Sequence, residues 1–186
     1  MDKYIFCKRK ALDYQTCNHV IDLFEQSNPL LRKDHDYYSI YPHITQDLRF
    51  SFLKPLLTKY IDEYVEKHRF LQFVCYKWDI DELFNVQKYN PGQYYNSGED
   101  WGEGFKLGHM EHGGEDYNSR RVLAWMFYLN DIKKDGGTCW PQQNFTTKPR
   151  AGDLYIWPAG WTHSHYGIPA PKETKYIITG WCSFHG

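Results

Sequence analysis

The sequence predicts a mostly β protein with N-terminal helices, an α+β chain whose helices pack outside a sandwich or barrel of antiparallel strands. Three observations predict it. The first third repeats apolar residues at helical spacing, and from Leu83 onward the period becomes two. In that second part, clusters of Gly, Pro and Asn separate short apolar runs.

Asp13 stands where a side-chain oxygen can cap a helix, and Cys17, Val20, Ile21 and Phe24 recur along that helix until Asn28-Pro29 stops it. A second helix is expected within 47–67, where Leu53, Leu56, Leu57, Tyr60, Ile61 and Tyr64 form one apolar stripe. Pro55 lies inside the stripe. Lacking an N–H, it either kinks the helix or marks its true start. Strands follow at 83–89, 122–129, 154–157 and 175–183. The stretch 90–108 (NPGQYYNSGEDWGEGFKLG) is too polar and glycine-rich for a core element and reads as a long loop over a site. At 186 residues the chain fits one domain, with 1–80 as a helical support region and 81–186 as the strand core.

Aromatic residues make up 18% and charged residues 24%, a composition that argues against disorder. Twenty-two Lys and Arg face 23 Asp and Glu, so no bulk field draws the protein to nucleic acid or to an anionic membrane, and neither is an expected partner. No apolar stretch approaches the roughly 20 residues that span a bilayer. Met1-Asp2-Lys3-Tyr4 lacks a signal peptide's pattern, so the expected location is the cytoplasm, the host's if the chain is viral. Cys7, Cys17, Cys75, Cys139 and Cys182 are scattered without C-x-x-C spacing and are expected to be reduced and structural.

His109 and Glu111 stand two apart, and positions i and i+2 of an extended strand share a face, so both can reach one metal ion. A third ligand is available in Trp161-Thr162-His163-Ser164-His165, where strand parity points both histidines the same way. Two imidazoles and one carboxylate make the facial set of non-haem Fe(II) oxygenases, which leaves coordination positions open. Nine histidines also produce such a pair by chance, so the weight falls on the last strand. There Lys175, Ile177, Thr179 and Trp181 share one face and Tyr176, Ile178, Gly180 and Cys182 the other. A lysine on an inward face needs a partner, and an anionic ligand would supply it. On the strand at 83–89, Asn85, Gln87 and Tyr89 form a polar row opposite Phe84 and Val86. Alternation alone favours solvent for that row, the alternative being a row that points into a barrel. Arg120, Arg121 and Glu99-Asp100 could contact a peptide, although exposed charges are ordinarily solvated surface. Arg121 is the better placed because it heads the strand at Val122.

Further motifs run in order along the chain. They are Gln87-Lys88-Tyr89-Asn90-Pro91-Gly92, the pair at His109, Arg121-Val122-Leu123 leading into Tyr128-Leu129-Asn130-Asp131, and Gly136-Gly137-Thr138. Lys148-Pro149-Arg150-Ala151-Gly152-Asp153 follows, then His165 with Pro169 and Lys175 behind it, and Trp181 closes the series. Each is weak alone, but the ordered set resembles the prolyl-4-hydroxylase-like branch of the Fe(II)/2-oxoglutarate dioxygenases, including its short microbial and phage members. The likeness covers a little over half the chain.

That resemblance implies a double-stranded β-helix (jelly-roll) core flanked by helices. It implies Fe(II) held by His109, Glu111 and His165, with Lys175 pairing the distal carboxylate of 2-oxoglutarate and Tyr89, Thr138 and Trp181 lining the cosubstrate pocket. Oxygen would be the second cosubstrate and ascorbate the reductant. The implied reaction is hydroxylation of an unactivated C–H, with a prolyl residue in a peptide or protein as the best-known target and small molecules as further substrates. Arg121 is the candidate substrate contact. The spacing to Pro169 and Lys175 favours His165 over His163 as third ligand, which leaves His163 behind the ligands or near the substrate. Two departures stand out: Glu111 replaces the usual aspartate, and an insertion separates Tyr95 from His109. Lysine at 175, where nucleic-acid demethylases of the superfamily carry arginine, favours the prolyl side.

Two other classes compete with this reading. A jelly-roll binding protein could keep the fold without the chemistry, but it has no need of Lys175. A zinc hydrolase could also use two His and one Glu, but no H-E-x-x-H helix is present.

Overall fold

A computed structural model describes residues 2–32, 37–74, 77–93 and 120–184. In chain order come β1 (Phe6–Lys8), α1 (Tyr14–Glu25), β2 (Leu30–Arg32), β3 (Tyr37–Ile40), α2 (Leu53–Lys67), α3 (Phe70–Val74) and β4 (Trp78–Ile80). The remaining strands are β5 (Asn85–Tyr89), β6 (Arg121–Tyr128), β7 (Thr138–Trp140), β8 (Phe145–Thr146), β9 (Leu154–Pro158), β10 (Tyr166–Gly167) and β11 (Lys175–Phe184). Eight strands form one antiparallel sheet in the order β1-β9-β6-β11-β5-β3-β2, with β4 also pairing β11. Three more form a small sheet, β10-β7-β8. The fold is the mostly β jelly-roll flanked by helices that the sequence and its resemblance predict.

Local chemistry sets the helices. Asp13 caps α1 by accepting the Thr16 N–H at 2.7 Å, and Cys17, Val20 and Phe24 are its buried stripe. Pro55 marks a start rather than a kink: α2 begins at Leu53, so the proline falls in the first turn, where no intrahelical N–H is required. Leu53, Leu57, Tyr60, Ile61 and Tyr64 are buried along it.

These helices cover one face of the large sheet. Alternate residues of β6 separate accordingly: Leu123, Trp125 and Phe127 join the helical cluster, while Ala124, Met126 and Tyr128 join a second cluster with Trp140, Tyr155 and Trp157. Both faces of the central strand are therefore buried, each by a different layer.

The four strands read from sequence lie within one or two residues of their expected positions at 85–89, 121–128, 154–158 and 175–184. The support region 1–80 departs from expectation, because besides helices it contributes β1, β2, β3 and β4 to the large sheet. These are runs of three or four residues; β2 pairs with neighbouring β3, and the others find partners far away in sequence, as in Phe6 opposite Ile156 and Ile80 opposite Cys182. A run that short shows no period. Among the described residues no helix is long and apolar enough to cross a membrane, and Cys7, Cys17, Cys139 and Cys182 are free thiols. Cys75 lies outside the described residues.

Candidate active site

A cavity of about 840 Å³ opens between the inner face of the large sheet and the small sheet. Its floor is set by register. Lys175 lies opposite Tyr89, Ile177 opposite Gln87 and Thr179 opposite Asn85, and residues directly across an antiparallel pair point to the same side. All six line the cavity. The polar row Asn85, Gln87 and Tyr89 is therefore buried and faces inward, against the solvent exposure that alternation alone favours. Phe84 and Val86 occupy the helix-covered face, and the second sheet shields the other face from water.

Lys175 is 4% exposed. Its Nζ stands 4.6 Å from the centre of the Tyr89 ring, and among the described residues no carboxylate pairs with it. Burial alone pushes its pKa down from 10.5 to about 8. The Tyr89 hydroxyl donates to Gln87 Oε1 at 2.8 Å, and its ring stacks on Tyr37. β10 lies alongside, since a Cβ on Gly167 would sit 3.7 Å from Lys175 Nζ.

Thr138 is held firmly. Its N–H donates to Thr147 Oγ1 at 2.8 Å, and its hydroxyl is 2.9 Å from the Tyr128 hydroxyl, which in turn meets Thr147. Desolvation pushes Tyr128 up to about 12, so it stays a neutral hydrogen-bonding group. Gly137 explains part of the Gly-Gly-Thr motif, because a Cβ there would collide with the Thr147 carbonyl oxygen.

His165 is buried between Trp140 and Trp157, with ring centres 5.6 and 5.0 Å away. Its Nδ1 is 3.0 Å from the His163 carbonyl. A carbonyl can only accept, so Nδ1 carries a proton, and in the neutral ring Nε2 is the nitrogen that can ligate. His163 is placed elsewhere. Residues Trp161–His163 form a 3-10 turn rather than a strand, so the expected common direction of the two histidines does not hold. The His163 ring packs edge-on to Tyr4, with Nδ1 3.0 Å from Thr162 Oγ1 and Nε2 3.6 Å from Asp2. Burial lowers its pKa and favours the neutral form.

At the opposite end of the cavity, the Arg121 guanidinium carbon stands 3.5 Å from the centre of the Trp181 ring. Asp81 is anchored there, its N–H donating to the Trp181 carbonyl at 2.9 Å and its carboxylate accepting from the Ser183 hydroxyl at 3.1 Å.

His109, Glu111 and positions 94–108 of the expected loop lie outside the described residues, as do Glu99 and Asp100. Among the described residues no three His, Cys, Asp or Glu gather as a metal set. The structure does bring His165, Lys175, Tyr89, Thr138, Trp181 and Arg121 to one cavity. Sequence reasoning missed Met126 and Trp157, which also line it, although strand parity would have found both. It missed Arg32 and Lys54 as well, which come from remote elements and carry no such signal. An imidazole whose Nδ1 is committed to a carbonyl, in one cavity with a buried ammonium that no described carboxylate pairs, fits a site for a metal and a carboxylate ligand.

Comparisons with known proteins bear on the family and the fold. The model of the 2OG-Fe(II) oxygenase superfamily matches residues 84–183. A protein of Arabidopsis thaliana named prolyl 4-hydroxylase 9 is 28% identical over 122 residues, covering 54% of this chain and 40% of that one. A protein of Acanthamoeba polyphaga mimivirus named as a prolyl 4-hydroxylase is 31% identical over 115 residues, covering 56% of this chain and 46% of that one. The chain thus spans less than half the length of these curated relatives. The crystal structure of a viral collagen prolyl hydroxylase from Paramecium Bursaria Chlorella virus-1, in its 2OG complex, superposes with a TM-score of 0.72 at 18% identity. That match covers 96% of this chain and 95% of the other, and at such identity it speaks for the fold.

Proposed function

From the premise that this chain belongs to the 2OG-Fe(II) oxygenase superfamily, whose model spans its residues 84–183, we propose that it is an Fe(II)- and 2-oxoglutarate-dependent dioxygenase. It hydroxylates an unactivated C–H, and its substrate is a prolyl residue in a peptide or protein. The observation that carries this reading is Lys175, an ammonium buried to 4% exposure in the cavity that also holds His165, with no described carboxylate to balance it. A buried cation of this kind calls for an anion, and a dicarboxylate cosubstrate is one.

In this reading His109, Glu111 and His165 would hold the iron. Bound iron, together with 2-oxoglutarate and oxygen and with ascorbate as reductant, supplies the oxidising power that places one oxygen atom on the substrate. The chain's own residues do the rest. The His163 carbonyl fixes the His165 tautomer, so that Nε2 is the ligating atom. Lys175 pairs with the distal carboxylate of 2-oxoglutarate, and Tyr89, Thr138 and Trp181 bound that pocket. Trp140 and Trp157 exclude water around His165. Arg121, held over the Trp181 ring, meets the substrate at the mouth. The relatives' names, prolyl 4-hydroxylases among them, support the prolyl target.

The test uses purified protein with Fe(II), ascorbate, 2-oxoglutarate and oxygen. Succinate should form, and proline-containing peptides should gain one oxygen atom by mass. A protein that binds neither iron nor 2-oxoglutarate would overturn the reading, as would His109→Ala retaining full iron affinity.

A further inference from the structure

We propose that Asn85 reads the substrate: its side-chain carbonyl accepts a hydrogen bond from a main-chain N–H of a polypeptide held in the cavity, a role that rests on the dioxygenase reading above. Asn85 is 6% exposed on the cavity wall; its Oδ1 is turned away from solvent with no hydrogen-bond donor among the described residues, and a half-turn of the amide about χ2 presents that oxygen to the cavity. Its neighbours' donors are already committed. Thr179, directly opposite, gives its hydroxyl proton to the Trp125 carbonyl at 3.0 Å. The Tyr89 hydroxyl goes to Gln87 and the Ser183 hydroxyl to Asp81. A buried acceptor left without a donor destabilises the fold, and such groups persist where something outside the chain supplies the donor.

Position separates the two possible donors. Asn85 stands four residues from Tyr89 along β5, about 13 Å at a strand's rise. A 2-oxoglutarate anchored at Lys175 carries no N–H and offers only acceptors. The donor therefore belongs to the molecule that enters from the mouth, near Arg32, Arg121 and Trp181. Charge at that end is balanced, since Arg32, Lys54 and Arg121 face Asp79, Asp81 and Glu82 there, with Lys54 3.9 Å from Asp79. The donor selected is accordingly neutral. A main-chain amide is the neutral donor that recurs along a polypeptide.

The experiment uses the full chain, the near-isosteric variant Asn85→Leu and a capped Ala-Ala-Pro-Gly-Ala-Ala peptide, with binding measured calorimetrically. The ligand-free melting midpoint of Asn85→Leu should rise by a few degrees, because the unpaired acceptor is gone. Its peptide affinity should fall about tenfold, the loss of one good hydrogen bond, while 2-oxoglutarate affinity stays unchanged. A peptide N-methylated at the glycine should bind the parent protein about tenfold more weakly and the variant no worse than the ordinary peptide. The inference is overturned by a midpoint that falls with peptide affinity intact, by equal sensitivity of both proteins to N-methylation, or by a parent protein that binds 2-oxoglutarate but not the peptide. Failure of the parent to bind 2-oxoglutarate counts instead against the dioxygenase reading.

Discussion

The two faces of β11 divide the work of the molecule. On the outer face Tyr176, Ile178, Gly180 and Cys182 meet the helical cluster, and Gly180 is needed because any Cβ there would strike the Trp125 ring. On the inner face Lys175, Ile177, Thr179 and Trp181 line the cavity. One strand thus carries packing on one side and unsatisfied polarity on the other, 180° apart. Stability is supplied by the helix-covered face. The cavity face keeps groups that the folded chain leaves incompletely matched among the described residues: Lys175 has the Tyr89 ring but no carboxylate, and Asn85 Oδ1 has no donor.

The sharpest way to break this division is to damage the outer face. Ile178→Ala removes a fully buried side chain and should cost about 2–5 kcal/mol by denaturant unfolding, while 2-oxoglutarate affinity per folded molecule stays unchanged. Lys175→Met should do the reverse. Affinity for 2-oxoglutarate, read by tryptophan quenching, should drop by roughly 30- to 150-fold, corresponding to about 2–3 kcal/mol for a charge-assisted pair. The ligand-free melting midpoint should hold or rise, because a desolvated ammonium has been removed.

A smaller effect follows from pH. Because burial lowers Lys175 to about 8, the ammonium that pairs with the carboxylate is present below that value and lost above it. Affinity for 2-oxoglutarate should therefore fall on the order of tenfold between pH 7 and 9. Stability of the ligand-free protein moves the other way. Between about 8 and 10.5 the unfolded chain binds a proton that the folded chain has released, so this lysine's contribution to stability rises with pH across that window. A melting-midpoint shift caused by 2-oxoglutarate that grows above pH 8 would contradict the pairing. The smallest expected effect lies far from the cavity: Asp13→Ala removes the α1 cap and should cost about 1 kcal/mol, with no change in ligand binding.

Much of this plan is legible in the chain. The Asp13 cap, the α2 stripe and the alternation of β11 are local, set by which residues can share a face at 3.6 or 2 residues per turn. The Gly136-Gly137-Thr138 motif is legible as a motif, but its reason, a close approach by the Thr147 carbonyl, is not. His163 shows where local reasoning fails. Parity assumes a strand, and a 3-10 turn at Trp161–His163 sends that ring toward Asp2 and Tyr4 while His165 enters the cavity.

The sequence by itself determined α1, α2, the four principal strands and the chemical types set in order from Tyr89 to Trp181, because each depends on neighbours a few residues away. Only the tertiary structure decided that the polar row of β5 faces inward and that strands from the first 80 residues widen the sheet. It alone brought Arg32 and Lys54 to the cavity with Arg121. The physical reason is that alternation tells which residues share a face but not what covers it. That depends on a second sheet and on partners more than a hundred residues away, such as Ile156 for Phe6 and Cys182 for Ile80.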